Sequence, residues 1–185
     1  MPLTRRAAPR GCPRQFFGLT KREVELCDEL ARLGCVAVAP DTFQRRTTNW
    51  VPRAIALVAP AIVGPGATWG REDLASALRW VEEQPWGEGA RVGVAGFCYG
   101  GGAALRLAEA AAEDVAAVAC FYGAPLVDAG RLECPVFTVY GTADAQFPTA
   151  VVDKFEARAL AALARVLSRV ADVSPARRST CRART

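Results

Sequence analysis

From Lys21 onward the apolar positions alternate between helix-spaced stripes and short unbroken runs. Val24, Cys27, Leu30 and Ala31 line one side of residues 21–33, which Thr20 and Glu23 open at capping-box spacing and Gly34 closes, so a helix is expected there. Cys35 to Ala39 shows no polar alternation, the pattern of a strand buried on both faces, and Pro40 and Asp41 stop it. Residues 42–70 read as an irregular excursion, a candidate lining for a pocket, in which Pro52, Pro60, Gly64, Pro65 and Gly66 leave room only for a short helix within 51–63. From Arg71 the helical period returns with Leu74, Leu78 and Val81, and Pro85 forbids its continuation. A strand over 91–95, an Ala-rich helix over 101–112 and strands over 115–121 and 136–140 follow. A last helix over 150–167 turns Val152, Phe155, Ala159, Leu163 and Val166 inward.

Strands alternating with helices of this length predict an α/β fold: a mostly parallel sheet, right-handed crossovers, helices on both faces. In such sheets chemistry gathers at the carboxyl ends of the strands, here just after Ala39, Ala95, Phe121 and Tyr140. A chain of 185 residues, 51% hydrophobic and 23% charged, suits one such domain. Its expected extent is 15–167, with residues 1–14 and 168–185 as tails outside it.

The net charge of +4 changes this picture little, because its excess sits at the ends. Arg5, Arg6, Arg10 and Arg14 face no acid within 1–14, and six arginines stand against Asp172 alone in 165–185. Residues 15–164 hold 13 basic and 18 acidic side chains, so no nucleic-acid partner is expected. No apolar run reaches the roughly 18 residues of a membrane span, and no membrane partner is expected. The seven cysteines, at 12, 27, 35, 98, 120, 134 and 181, form no C-x-x-C pair, and His is absent, so neither a zinc site nor another metal is expected. A reducing, cytoplasmic setting fits unpaired thiols in apolar runs, while the acid-free, Arg-containing start faintly resembles an organelle transit segment.

After Ala95 the chain reads Gly96, Phe97, Cys98, Tyr99, Gly100, Gly101, Gly102. Small-x-nucleophile-x-small between a strand and a helix is the signature of a nucleophile elbow, whose central residue is strained and whose flanking Gly96 and Gly100 are expected to be needed because a Cβ would strike the neighbouring chain. The helix starting at Cys98 is expected to favour its thiolate and make it the most reactive of the thiols, with the Tyr99 N–H facing an oxyanion. A dinucleotide-binding turn competes, but G-x-G-x-x-G is absent and Tyr122 and Gly123 stand where an acid would hold ribose. An inert buried thiol is the other competitor, disfavoured by the place of Cys98 at the centre of the elbow.

The stretch from Gly96 to Gly102 resembles the dienelactone hydrolase family, whose elbow carries Cys where most α/β-hydrolases carry Ser. In the same order, Phe17-Gly18-Leu19, Ala39-Pro40-Asp41 and Tyr140 to Asp144 with Phe147 and Pro148 match the family's pattern, so the resemblance covers roughly 15–164. It implies an α/β-hydrolase fold without cofactor, opening a small ester or lactone through Cys98. It also implies Asp144 as the triad acid, against the alternative of an ordinary turn aspartate, and the N–H of Phe16 as second oxyanion donor.

Three departures qualify what the resemblance implies. The family's catalytic His has no counterpart, since the chain contains none. Gln15 stands where the family has a Glu near the thiol, and residues 1–14, with Pro2, Pro9 and Pro13, do not supply the central strand that precedes the first helix. The fold is therefore expected to be an incomplete α/β-hydrolase, both ends deriving from a shortened or frame-shifted transcript, and the chain is expected to be inactive. A non-catalytic relative that keeps the pocket for binding is the alternative; an acidic thiol speaks for the enzyme and an ordinary one for the binding protein.

Overall fold

The structure, a computed structural model, describes residues 13–14, 18–19, 21–41, 70–144 and 146–173, with side chains over 21–41, 70–144 and 146–167. Two residues each, β1 (Pro13–Arg14) and β2 (Gly18–Leu19) pair antiparallel in a ladder separate from the main sheet. Helix α1 (Lys21–Arg32) forms where the apolar stripe predicts it. Gly34, at φ +89, takes the left-handed turn that ends it, and the N–H groups of Gly34 and Cys35 donate back to the carbonyls of Ala31 and Leu30.

The expected strand over 35–39 does not form. The chain there lies in no ladder among the described residues, and Val36 and Val38 are 57% and 41% exposed. A β-branched run becomes a strand only when a neighbouring backbone takes its N–H and C=O groups, and none of the described strands reaches it.

Helix α2 (Arg71–Glu82) follows Gly70. Beyond it come β3 (Val92–Phe97), α3 (Tyr99–Ala110), β4 (Val115–Phe121), a 3-10 turn (Ala129–Arg131), β5 (Val136–Val139) and α4 (Thr149–Val173), which runs six residues past the expected end at 167. The sheet is parallel in the order β3-β4-β5, with Phe97 opposite Phe121 and Phe121 opposite Val139. Its register shifts between Val92 and Gly93, where Val115 and Ala117 of β4 face successive residues of β3.

Small residues let α3 lie close on this sheet: Gly101, Gly102, Ala103, Ala104 and Ala108 are buried together with Leu105 and Leu107. They pack with Val115, Val118 and Cys120 of β4, and Phe155 of α4 closes the same core beside Ala129, Leu132 and Cys134. The other face of the sheet carries Phe97 stacked on Phe121 at 4.7 Å between ring centroids, Phe137 edge-on at 6.0 Å, and Phe137 is 60% exposed. The result is an α/β fold with a parallel sheet and helices. Among the described residues no helix is long and apolar enough to cross a membrane.

Candidate active site

Parallel pairing brings the carboxyl ends of β3, β4 and β5 to one end of the sheet. Cys98 follows β3, Tyr122 and Gly123 follow β4, and Tyr140 and Asp144 follow β5. Cys98 sits at φ +51, ψ −116, a conformation that costs a side-chain-bearing residue about 1–3 kcal/mol. Its N–H donates to the Phe121 carbonyl at 2.9 Å and its own carbonyl accepts from Gly102 at 3.2 Å, so strand and helix grip the turn from both sides.

The close approach that makes this turn has a different glycine set from the one expected. A Cβ at Gly96 would lie 2.2 Å from the Gly100 carbonyl oxygen, as the elbow pattern requires. Gly100, by contrast, has open space where its Cβ would stand, because it lies on the outer side of the first turn of α3. The contacts fall instead on Gly101, whose Cβ would meet the Cys120 sulfur and the Gly96 carbonyl oxygen at 3.0 Å, and on Gly123, whose Cβ would lie 2.5 Å from the Gly102 nitrogen. The run Gly100-Gly101-Gly102 holds this information without its order, and Gly123 carries no local signal at all.

The thiol is less acidic than its place at a helix start suggests. Burial pushes its pKa up, the hydrogen bond from the Tyr99 N–H pulls it down, and the charge of Asp144 pushes it up again. Desolvation outweighs the helix end because a thiolate loses its water while gaining one N–H donor. Burial thus works against the favoured thiolate that the helix start leads one to expect, and among the described cysteines Cys35 is the exposed one.

Asp144 is brought within electrostatic reach of Cys98. Its Oδ1 accepts the N–H groups of Gln146 at 2.7 Å and Phe147 at 3.1 Å, so the carboxylate also does the work of a turn aspartate. Beneath the elbow, Tyr140 donates to the Gly123 carbonyl at 2.7 Å and stands 3.7 Å from the Cys120 sulfur, with burial holding both of their pKa values up. Tyr140 thereby ties the end of β5 to the turn after β4. Tyr122, at φ +42, is a second strained residue at this end of the sheet, and sequence reasoning misses it because only the tertiary path demands it.

Phe16, Gln15 and the excursion over 42–69 lie outside the described residues. Among the described residues no group of three His, Cys, Asp or Glu is gathered for a metal ion. A hollow lined by Glu82, Glu113, Asp114, Glu133 and Arg91 opens at the amino ends of the strands, the end away from Cys98.

A strained cysteine thus stands between a parallel strand and a helix, with an aspartate following two strands on. The dienelactone hydrolase family's profile matches residues 14–167. The chain belongs to the dienelactone hydrolase family. It is 28% identical over 156 residues to a protein of Methylorubrum extorquens provisionally named a carboxymethylenebutenolidase, a match covering 77% of this chain and 53% of that one. A protein of Aquifex aeolicus with the same provisional name is 31% identical over 123 residues, 65% of this chain and 53% of its own length. For one from Synechocystis the figures are 23% over 158 residues, 77% and 63%. The chain thus spans about half to three-fifths of the length of these relatives. Among solved structures, a dienelactone hydrolase-like promiscuous phosphotriesterase from metagenomic libraries superposes with a TM-score of 0.65 at 20% identity, over 89% of this chain and 87% of that one. That likeness is one of fold.

Proposed function

We propose that this chain carries the nucleophile part of an ester- or lactone-hydrolase site, with Cys98 as nucleophile and a small ester or lactone as substrate. The observation that carries the reading is Cys98 itself, a non-glycine residue at φ +51 between β3 and α3, over a turn in which Gly96 admits no Cβ. A buried cysteine that only fills space has no need of such a backbone.

In the proposed reaction the Cys98 sulfur bonds to the carbonyl carbon, and the carbonyl electron pair moves onto oxygen beside the Tyr99 N–H, with the Phe16 N–H as second donor. The C–O bond then breaks, the departing oxygen takes the proton that the thiol gave up on attack, and water hydrolyses the thioester, releasing the carboxylic acid and returning the thiol with its proton. Asp144 is the group that would orient a base. The chain has no His to be that base, and burial keeps Cys98 protonated at neutral pH, so turnover is expected at or near background. The same two facts favour the second reading, a non-catalytic α/β-hydrolase-like binding protein. For either reading we propose a reducing, cytoplasmic setting, in keeping with the free thiols of Cys35, Cys98, Cys120 and Cys134 among the described residues.

The test supplies the base from outside. The full chain is incubated with an aryl ester with and without added imidazole, and the acyl group is located by peptide mapping. An enzyme-type site gives a thioester on Cys98 and an imidazole-dependent turnover, on the order of 10-fold or more above the Cys98→Ala control. Acylation of Cys35 in preference to Cys98, with no gain from imidazole over that control, selects the binding reading.

A further inference from the structure

Tyr99, Ala103 and Arg106 follow one another at i, i+4 and i+7 along α3 and so share one of its faces. Side chains on a helix lean toward its amino end, which sends the Arg106 side chain back over Ala103 toward Tyr99. All three are buried, Arg106 to 7% exposure. The face is closed by Gly70 at the head of α2: a Cβ there would lie 2.5 Å from the Tyr99 hydroxyl oxygen and 3.1 Å from the Ala103 Cβ, at a φ of +80. The Tyr99 hydroxyl thereby lies against the start of α2, beside Ala103 in the second turn of its own helix.

A buried guanidinium is expensive, and packing alone does not account for one in a row of leucines and alanines. Among the described residues the Arg106 Nη1 has no hydrogen-bond partner. Its charge is nonetheless felt by Tyr99, where burial raises the phenol pKa to about 12 and Arg106 acts against that rise. Reciprocally, burial lowers the Arg106 pKa while Tyr99 and Glu109 hold it up and Arg71 lowers it.

We propose that Arg106 is a positioning residue for the elbow, holding the Tyr99 side chain against Gly70 and so keeping the Tyr99 N–H on the Cys98 sulfur. This deepens the reading of Cys98 as nucleophile and rests on it. Tyr99 is the first residue of α3 and directly follows the strained Cys98, so pushing its side chain away from Gly70 shifts the helix start that carries the N–H meeting the sulfur.

Alkylation of the full chain by iodoacetamide, quantified thiol by thiol by peptide mapping across neutral to alkaline pH, reads the ionisation of Cys98 itself. Arg106→Leu and, separately, Gly70→Ala each move the Cys98 profile to higher pH, lowering its rate about three- to tenfold at mildly alkaline pH, while Cys35 in the same sample does not move. Gly70→Ala leaves every charge in place, so its shift reports the displacement of Tyr99. Circular dichroism checks folding, and Arg106→Gln replaces the leucine variant should that one fail to fold. A shift in the Arg106 variant alone means a through-space field, and a shift in Gly70→Ala alone means that Tyr99 is held without Arg106. Either result, or no shift in both, overturns the proposal. The ester-acylation experiment fails or succeeds independently, so loss of the nucleophile reading is told apart from loss of this one.

Discussion

Two amphipathic helices of this chain, α1 and α3, have the same length of 12 residues and opposite fates. Every residue of α3 from Gly101 to Ala108 is buried, between the sheet and α2, whereas α1 buries none of its residues although its apolar stripe is the cleaner of the two. What separates them is the partner. The Gly and Ala positions of α3 let it settle on β3 and β4, and the strands on either side of it in sequence are the ones it covers. The segment following α1, over 35–41, lies in no ladder, and among the described residues no strand of the parallel sheet directly precedes or follows α1 for it to lie upon. A hydrophobic stripe marks a helix that can be buried; burial itself needs a surface of matching shape.

The largest expected effect comes from the crowded side. Gly96→Ala forces a Cβ to within 2.2 Å of a carbonyl oxygen, and urea titration should show loss of cooperative unfolding or a destabilisation above about 4 kcal/mol. Next, Leu105→Ala, a fully buried side chain, should cost about 2–5 kcal/mol, against under about 1 kcal/mol for Leu30→Ala in α1. Equal costs at the two positions would mean that α1 is docked in solution as firmly as α3, and hydrogen exchange of the α1 amides would then be as slow as that of α3.

The smallest effect is one of pH. Burial raises the pKa values of Cys98, Cys120 and Cys134, all on the α3 side. A raised thiol pKa in the folded state stabilises fully below the ordinary thiol range and is lost as pH climbs through the raised values. Tm should therefore hold through neutral pH and fall above about pH 9, and Cys120→Ala should flatten the fall. A Tm that rises in alkali would show that these thiols are not desolvated.

Much of the elbow is legible in the order of residues alone. Cys98 and Gly96 follow from a local pattern, because a strand, a tight turn and a helix are consecutive in the chain. Gly101 and Gly123 escape that reading for the opposite reason: what they admit is the approach of the turn after β4 to the first turn of α3, two stretches some twenty residues apart. The acidity of the thiol escapes it as well. Helix position is written locally, whereas desolvation depends on everything packed around the sulfur, and it is the larger of the two.

The sequence by itself determined the periodicities, and with them the helices α1 to α4, the strand at 115–121 to the residue and the α/β class. These are properties of short windows, where side-chain spacing and turn residues act on the backbone directly. Only the tertiary structure decided that 35–39 joins none of the described strands, that α3 rather than α1 is buried, and which glycines the elbow requires. Each of these is settled by a second segment arriving from elsewhere in the chain, and no local pattern of apolar residues records whether that partner is there.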